Sequence, residues 1–148
     1  ARAGVDVIFH AFFGDDECWD AMRAAGSALA PTLTFLRNNV EFCLPHEPSV
    51  ESGYLAMQER VIAVAKRNLN RAREKGVAFM TGSDAGFAVT PYGEWHAREI
   101  GILVDWLGFT PAQALRAATS VSAHLMPRHE APTALHQLIA TWQSAQPA

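Results

Sequence analysis

The sequence predicts an α/β fold built on parallel strands, and two observations carry that reading. A short apolar run, a loop, an amphipathic helix and a glycine form a unit that recurs, with Gly4, Gly26 and Gly76 each closing directly on a strand-like run. Those runs are apolar almost throughout instead of alternating, as strands covered on both faces are. Repeated strand–helix units with tight glycine junctions call for parallel strands joined by right-handed crossovers.

The first strand takes Val5-Asp6-Val7-Ile8-Phe9, β-branched and aromatic apart from the aspartate, and ends at His10. Asp15-Asp16-Glu17 then supplies a cap and first-turn negative charge for a helix over about 15 to 25, which Gly26 stops. Ser27 to Leu36 predicts a second strand in which Pro31 forces a bend or the end of pairing. Residues 37 to 50, broken by Asn38-Asn39, Pro45 and Pro48, read as a long loop that forms a wall or lid. Between Ser49 and Lys75 the positions Tyr54, Met57, Val61, Ala65 and Leu69 recur every three or four residues, which predicts the longest helix. Val77-Ala78-Phe79-Met80 is the third strand, and Trp95 to Leu107 is a helix ending at Gly108. Thr110-Pro111-Ala112-Gln113 combines a capping box with proline at the first helical position, so a last helix runs from about 111 to 125. Residues 1–126 form one unit on this reading, and 127–148, bracketed by Pro127, Pro132 and Pro147, form a loosely attached tail.

Composition removes several function classes. At 148 residues and 49% apolar content the chain can bury one modest core, and its net charge of -3 gives no basic footprint for nucleic acid. No apolar run is long enough to span a bilayer, and Cys18 and Cys43 have neither CxxC spacing nor partners for a disulfide framework. We expect a soluble chain without nucleic-acid or membrane partners, with the cytoplasm as preferred compartment. Its opening, Ala1-Arg2-Ala3-Gly4 without an initiator methionine, looks like entry into the middle of a fold.

The chemistry concentrates at strand ends. His10 follows the first strand, and Asp84 follows the third within Thr81-Gly82-Ser83-Asp84-Ala85-Gly86. Parallel α/β proteins place their reacting groups at such positions. Singly, His10 reads equally as a histidine donating to a carbonyl and Asp84 as a turn carboxylate. Together they suit a divalent ion, but a catalytic zinc takes three or more protein ligands, so two are too few. Thr32 and Thr34 are candidates for polar contacts, with strand propensity as the plainer reading. His46 and His96 follow as second-rank ligand candidates, and His124, His129 and His136 rank below them. Ser83 lacks a G-x-S-x-G elbow, and no P-loop or dinucleotide fingerprint is present. Three strand–helix units fit either a small open sheet or the last part of a (β/α)8 barrel.

Taken in order, Ala3 to His10, Asp15-Asp16-Glu17, Pro31-Thr32-Leu33, Gly82-Ser83-Asp84-Ala85-Gly86, Pro91-Tyr92-Gly93 and Gly108-Phe109-Thr110-Pro111 through Thr119 carry a family resemblance. They resemble the amidohydrolase superfamily, in its imidazolonepropionase-like and Xaa-Pro-dipeptidase-like branch, over residues 1 to 123. The resemblance implies a partial (β/α)8 TIM barrel, its last three strand–helix units plus an extra C-terminal helix. It also implies a metal-dependent hydrolase acting on amide or peptide-like C–N bonds of a small-molecule, dipeptide-like substrate. His10 and Asp84 would bind a divalent metal, zinc by preference, as one or two ions, and Asp84 would handle the proton of the attacking water. Tyr92 and Thr32 are the expected substrate contacts. The chain has Phe9-His10-Ala11 where the family often has Glu-His-Gly, Ser83 in place of Thr, and Tyr92 in place of His. The family's His-x-His on the first strand, bridging ligand on the fourth and histidine on the fifth have no counterpart. We therefore expect the missing barrel half or another subunit to complete the site, and the isolated chain to be inactive. The alternative is a non-catalytic remnant or interaction module of the same fold that has lost the metal site.

Overall fold

The apolar runs that the glycines introduce become three strands of one parallel sheet. The computed structural model describes residues 1–43, 52–86, 89–93 and 95–125. In it, β1 (Val7–Phe9), β2 (Ala28–Ala30) and β3 (Ala78–Phe79) lie side by side in the order β1-β2-β3. Val7 pairs in register with Ala28, and Leu29 with Phe79. The central strand is buried along its whole length, which is why its sequence is apolar at every position.

Helix α1 (Asp16–Ala25) begins and ends as its sequence dictates. The Asp15 carboxylate accepts the Cys18 N–H at 2.9 Å, and Gly26 closes the helix with a left-handed backbone, φ 69°. The segment after β2 departs from expectation. A strand over Ser27 to Leu36 is predicted, yet pairing stops at Ala30 and the chain turns at Thr32, φ 51°, into helix α2 (Leu33–Asn38). Pro31 has no N–H to give a ladder, and Leu33, Thr34 and Leu36 are buried together on the helix. A π-helical turn, Asn39–Cys43, continues it, so the loop expected from residue 37 is helical as far as Cys43. The rest of that loop, with His46, lies outside the described residues.

Helices α3 (Ser52–Glu74) and α4 (Trp95–Leu107) flank β3 in sequence and pack on each other and on α2. The Thr110 capping box forms as read, but the single helix expected over 111 to 125 is divided. Helix α5 (Pro111–Arg116) passes through a π-helical turn, Ala117–Val121, into α6 (Ser122–Leu125). The tail over 127 to 148 lies outside the described residues.

One apolar core joins these elements: Leu29 of β2, Trp19 and Met22 of α1, Leu33 of α2, Leu69 of α3, and Ile102, Leu103 and Leu107 of α4. Among the described residues, no helix is long and apolar enough to cross a membrane.

Candidate functional site

Four non-glycine residues among those described adopt left-handed backbones, and all four follow a strand. His10 (φ 62°) and Ala11 (φ 49°) follow β1, Thr32 (φ 51°) follows β2, and Asp84 (φ 52°) follows β3. A β-branched residue such as Thr32 is a true outlier there, since its side chain crowds the backbone. Such conformations cost about 1–3 kcal/mol each and persist where surrounding structure holds them, most often at functional sites.

His10, Thr32 and Asp84 line one cavity of about 970 Å3, whose walls include Phe12, Trp19 and Phe35. Inside it, His10 Nδ1 and Thr32 Oγ1 lie 2.5 Å apart. That contact occupies Nδ1, and Nε2 is the ring nitrogen left for a second partner. Thr32 is buried, so water does not compete readily for its hydroxyl.

The Thr32 hydroxyl is available because another residue takes over its usual duty. Thr32 is the N-cap of α2 but makes no side-chain cap bond. Instead the Glu99 carboxylate, reaching across from α4, accepts the Leu33 N–H at 2.9 Å, the Thr34 N–H at 2.7 Å and the Thr34 hydroxyl at 2.5 Å. These are the first donors of α2, which a helix start leaves without partners. Glu99 is 0% exposed. Burial pushes its carboxyl above the usual carboxylate range, against the pull of the Thr34 hydroxyl and the Leu33 and Thr34 amides.

The Asp84 loop is tied down from the other end of α2. Asn38 Nδ2 donates to the Val89 carbonyl at 2.7 Å, the Gly86 N–H donates to the Thr90 carbonyl at 2.8 Å, and the Thr90 hydroxyl donates to the Asp84 carbonyl at 3.2 Å. Gly82 lets this loop approach Thr32 closely: a Cβ at that position would stand 3.2 Å from Thr32 Cγ2.

Three of the four residues singled out from sequence thus meet in one cavity. Tyr92 does not line it. It is 84% exposed, with its hydroxyl over Gly86, where an added Cβ would lie 3.1 Å from the phenol oxygen. Thr34 faces Glu99, and His96 and His124 are exposed and away from the cavity. His46, His129 and His136 lie outside the described residues. Glu99 went unread in the sequence, although a signal exists. It falls three and four residues before Ile102 and Leu103 on the buried stripe of α4, where an unpaired charge is not tolerated.

His10 and Asp84 bring one imidazole and one carboxylate to the cavity, donors that suit a divalent ion. Among the described residues, no group of three or more histidine, cysteine, aspartate or glutamate side chains is placed to hold one. The donor set is therefore partial, short of what a catalytic zinc takes from protein.

No protein-family model matches the chain, and no curated protein matches it. Solved structures do. The A. niger ochratoxinase superposes with a TM-score of 0.69 at 22% identity, over 84% of this chain and 27% of that one. A Xaa-Pro dipeptidase with methionine bound in its active site gives 0.65 at 26% identity, over 84% of this chain and 29% of that one. A Bifidobacterium longum protein classed as a prolidase gives 0.69 at 32% identity, over 84% of this chain and 31% of that one. The chain spans less than a third of the length of each of these three relatives.

Proposed function

We propose, for a chain that has the amidohydrolase-type fold of these dipeptidase and ochratoxinase structures, that it supplies one part of the active site of a metal-dependent hydrolase of amide or peptide-like C–N bonds. The observation that carries this reading is the convergence of His10, Thr32 and Asp84, from three adjacent strand ends, on one cavity. Residues 1–126 are then the last three strand–helix units and the extra helix of a (β/α)8 barrel. The remaining strands come from the missing barrel half or from another subunit.

A divalent ion, zinc by preference, would be held by His10, Asp84 and further donors from those strands, and would supply carbonyl polarisation and an acidified water. Thr32 fixes the His10 ring through Nδ1. The Asp84 carboxylate takes the proton of the attacking water and passes it to the leaving amine, the usual work of a strand-end carboxylate in such a site. Phe12, Trp19 and Phe35 offer an apolar wall to the side chain of a small amide or dipeptide-like substrate. Tyr92, outside the cavity with its hydroxyl over Gly86, would contact only a substrate that extends past the Asp84 loop. Hydrolysis of acyl-proline and dipeptide substrates by the zinc-loaded, completed protein tests the reading. Asp84→Asn is expected to lower kcat by about 100-fold or more with the circular dichroism unchanged. Undiminished turnover in that variant would rule the assignment out.

A second reading has an observation of its own, the partial donor set. It makes the chain a non-catalytic interaction module of the same fold. Calorimetric titration of the completed protein with zinc separates the two, since a module that has lost the site takes up no ion at His10 and Asp84.

A further inference from the structure

We propose that Glu99 is a positioning residue for His10: by capping α2 from α4 it frees the Thr32 hydroxyl to hold Nδ1 of His10, and so sets which ring nitrogen the cavity receives. The inference rests on the functional reading only in giving that nitrogen a ligand to meet. The linkage itself is geometric.

Each step is a short contact between named groups. An N-cap threonine ordinarily accepts an N–H from the first turn of its own helix. Thr32 makes no such bond, and its left-handed backbone, φ 51°, turns the side chain toward His10, 2.5 Å away. The first-turn donors are then unpaired in a buried setting, a situation that costs about 1–3 kcal/mol per group unless something accepts them. Glu99 accepts both amides and the Thr34 hydroxyl, from an element 65 and 66 residues further along the chain. Thr32 thereby loses any local competitor for its oxygen. Gly82 closes the other side, where an added Cβ would stand 3.2 Å from the Thr32 methyl. In the tautomer we assign, Nδ1 carries the proton and donates to the Thr32 oxygen, so Nε2 presents a lone pair, the arrangement by which a hydrogen-bonded histidine binds a cation or accepts a proton.

The electrostatic surroundings of Glu99 do not supply an alternative explanation. Its hydrogen-bonded partners are the Leu33 and Thr34 groups, and Arg98, next to it in the chain, is bound elsewhere, to Glu41. The carboxylate serves the start of α2.

The test is a heteronuclear NMR measurement of the His10 ring, at a pH where it is neutral, in the wild-type protein and in Glu99→Gln, Glu99→Ala and Thr32→Val. The wild type is expected to show the Nδ1–H form in excess by about 10-fold or more. Thr32→Val should bring the two tautomers toward the mixture of a free imidazole. Glu99→Ala should do the same while raising amide exchange at Leu33 and Thr34 by at least about 10-fold, and Glu99→Gln, which keeps one acceptor, should fall between. Near-UV circular dichroism reports whether the core around Trp19 is retained. If Glu99→Ala does not fold, Glu99→Gln, which removes one of the two acceptor oxygens, and Thr34→Val, which removes one bond to the cap, carry the comparison. A His10 tautomer unchanged in a folded Glu99 variant, while Thr32→Val alters it, would overturn the proposal. Zinc titration runs beside it, with affinity expected to fall about 10–100-fold in Thr32→Val and less in Glu99→Gln. Absence of zinc binding in the wild type speaks against the hydrolase reading and leaves the ring measurement to judge the role of Glu99.

Discussion

At the scale of residues, Glu99 and Thr32 exchange the roles common at a helix start. Threonine at a helix start reads as a cap and glutamate on a helix as surface, yet the glutamate caps and the threonine serves the site. Burial leaves a pH signature. Because the folded-state pKa of Glu99 is raised above the ordinary 4.5, its contribution to stability is present in full below that value and is lost as pH rises through the folded value. Urea midpoints of the wild type relative to Glu99→Gln should therefore decline from about pH 4.5 upward, and a rising difference over that window would contradict the assignment. His10 and Asp84 were legible in the sequence because strand ends are legible. The contact of Thr32 with His10 was not, because a threonine inside an apolar run reads first as strand, and a left-handed backbone leaves no trace in composition.

Among the elements, α2 is short and has the largest consequence. Its first turn is held by Glu99 and carries Thr32, and Asn38 at its last position holds the loop of Asp84 through Val89. Sequence placed a strand and a loop here. Pro31 marked the break correctly, but six residues, Leu33–Asn38, are too few for helical periodicity to declare itself. Longer or capped helices declared themselves well: Asp15 with Gly26, and Thr110 with Gln113, set their ends by local hydrogen bonds that need no tertiary context. Helix α1 also shows which force seats an element. Asp16 pairs with Arg71 and Asp20 with Lys75 on exposed surface, where such pairs are screened and contribute little. Trp19, by contrast, lies against Gly14 so closely that an added Cβ would be 2.2 Å from the ring. Gly14→Ala is expected to destabilise by about 1–3 kcal/mol in urea unfolding, through displacement of the indole. Asp16→Asn should leave the midpoint nearly unchanged, and the reverse order would show that ion pairs seat the helix.

For the whole molecule, the three-stranded sheet leaves β1 and β3 as edges among the described residues, each with one side of its backbone unpaired by another strand. Beside β1 stand exposed apolar side chains, Phe9 at 58% and Phe13 at 71%. Unpaired backbone and exposed aromatic surface together favour addition of further parallel strands. The same edge brings His10 to a cavity where it has too few companions for a metal. Both features have one remedy, the rest of a barrel, and that is the central claim. It is tested most directly by zinc-dependent hydrolysis of an acyl-proline substrate, measured with the chain alone and with the chain completed by the barrel strands it lacks. The account predicts no turnover above the buffer rate for the chain alone and metal-dependent turnover, abolished by Asp84→Asn, on completion. Robust turnover by the chain alone, or none after a completed barrel has folded with zinc present, would contradict it.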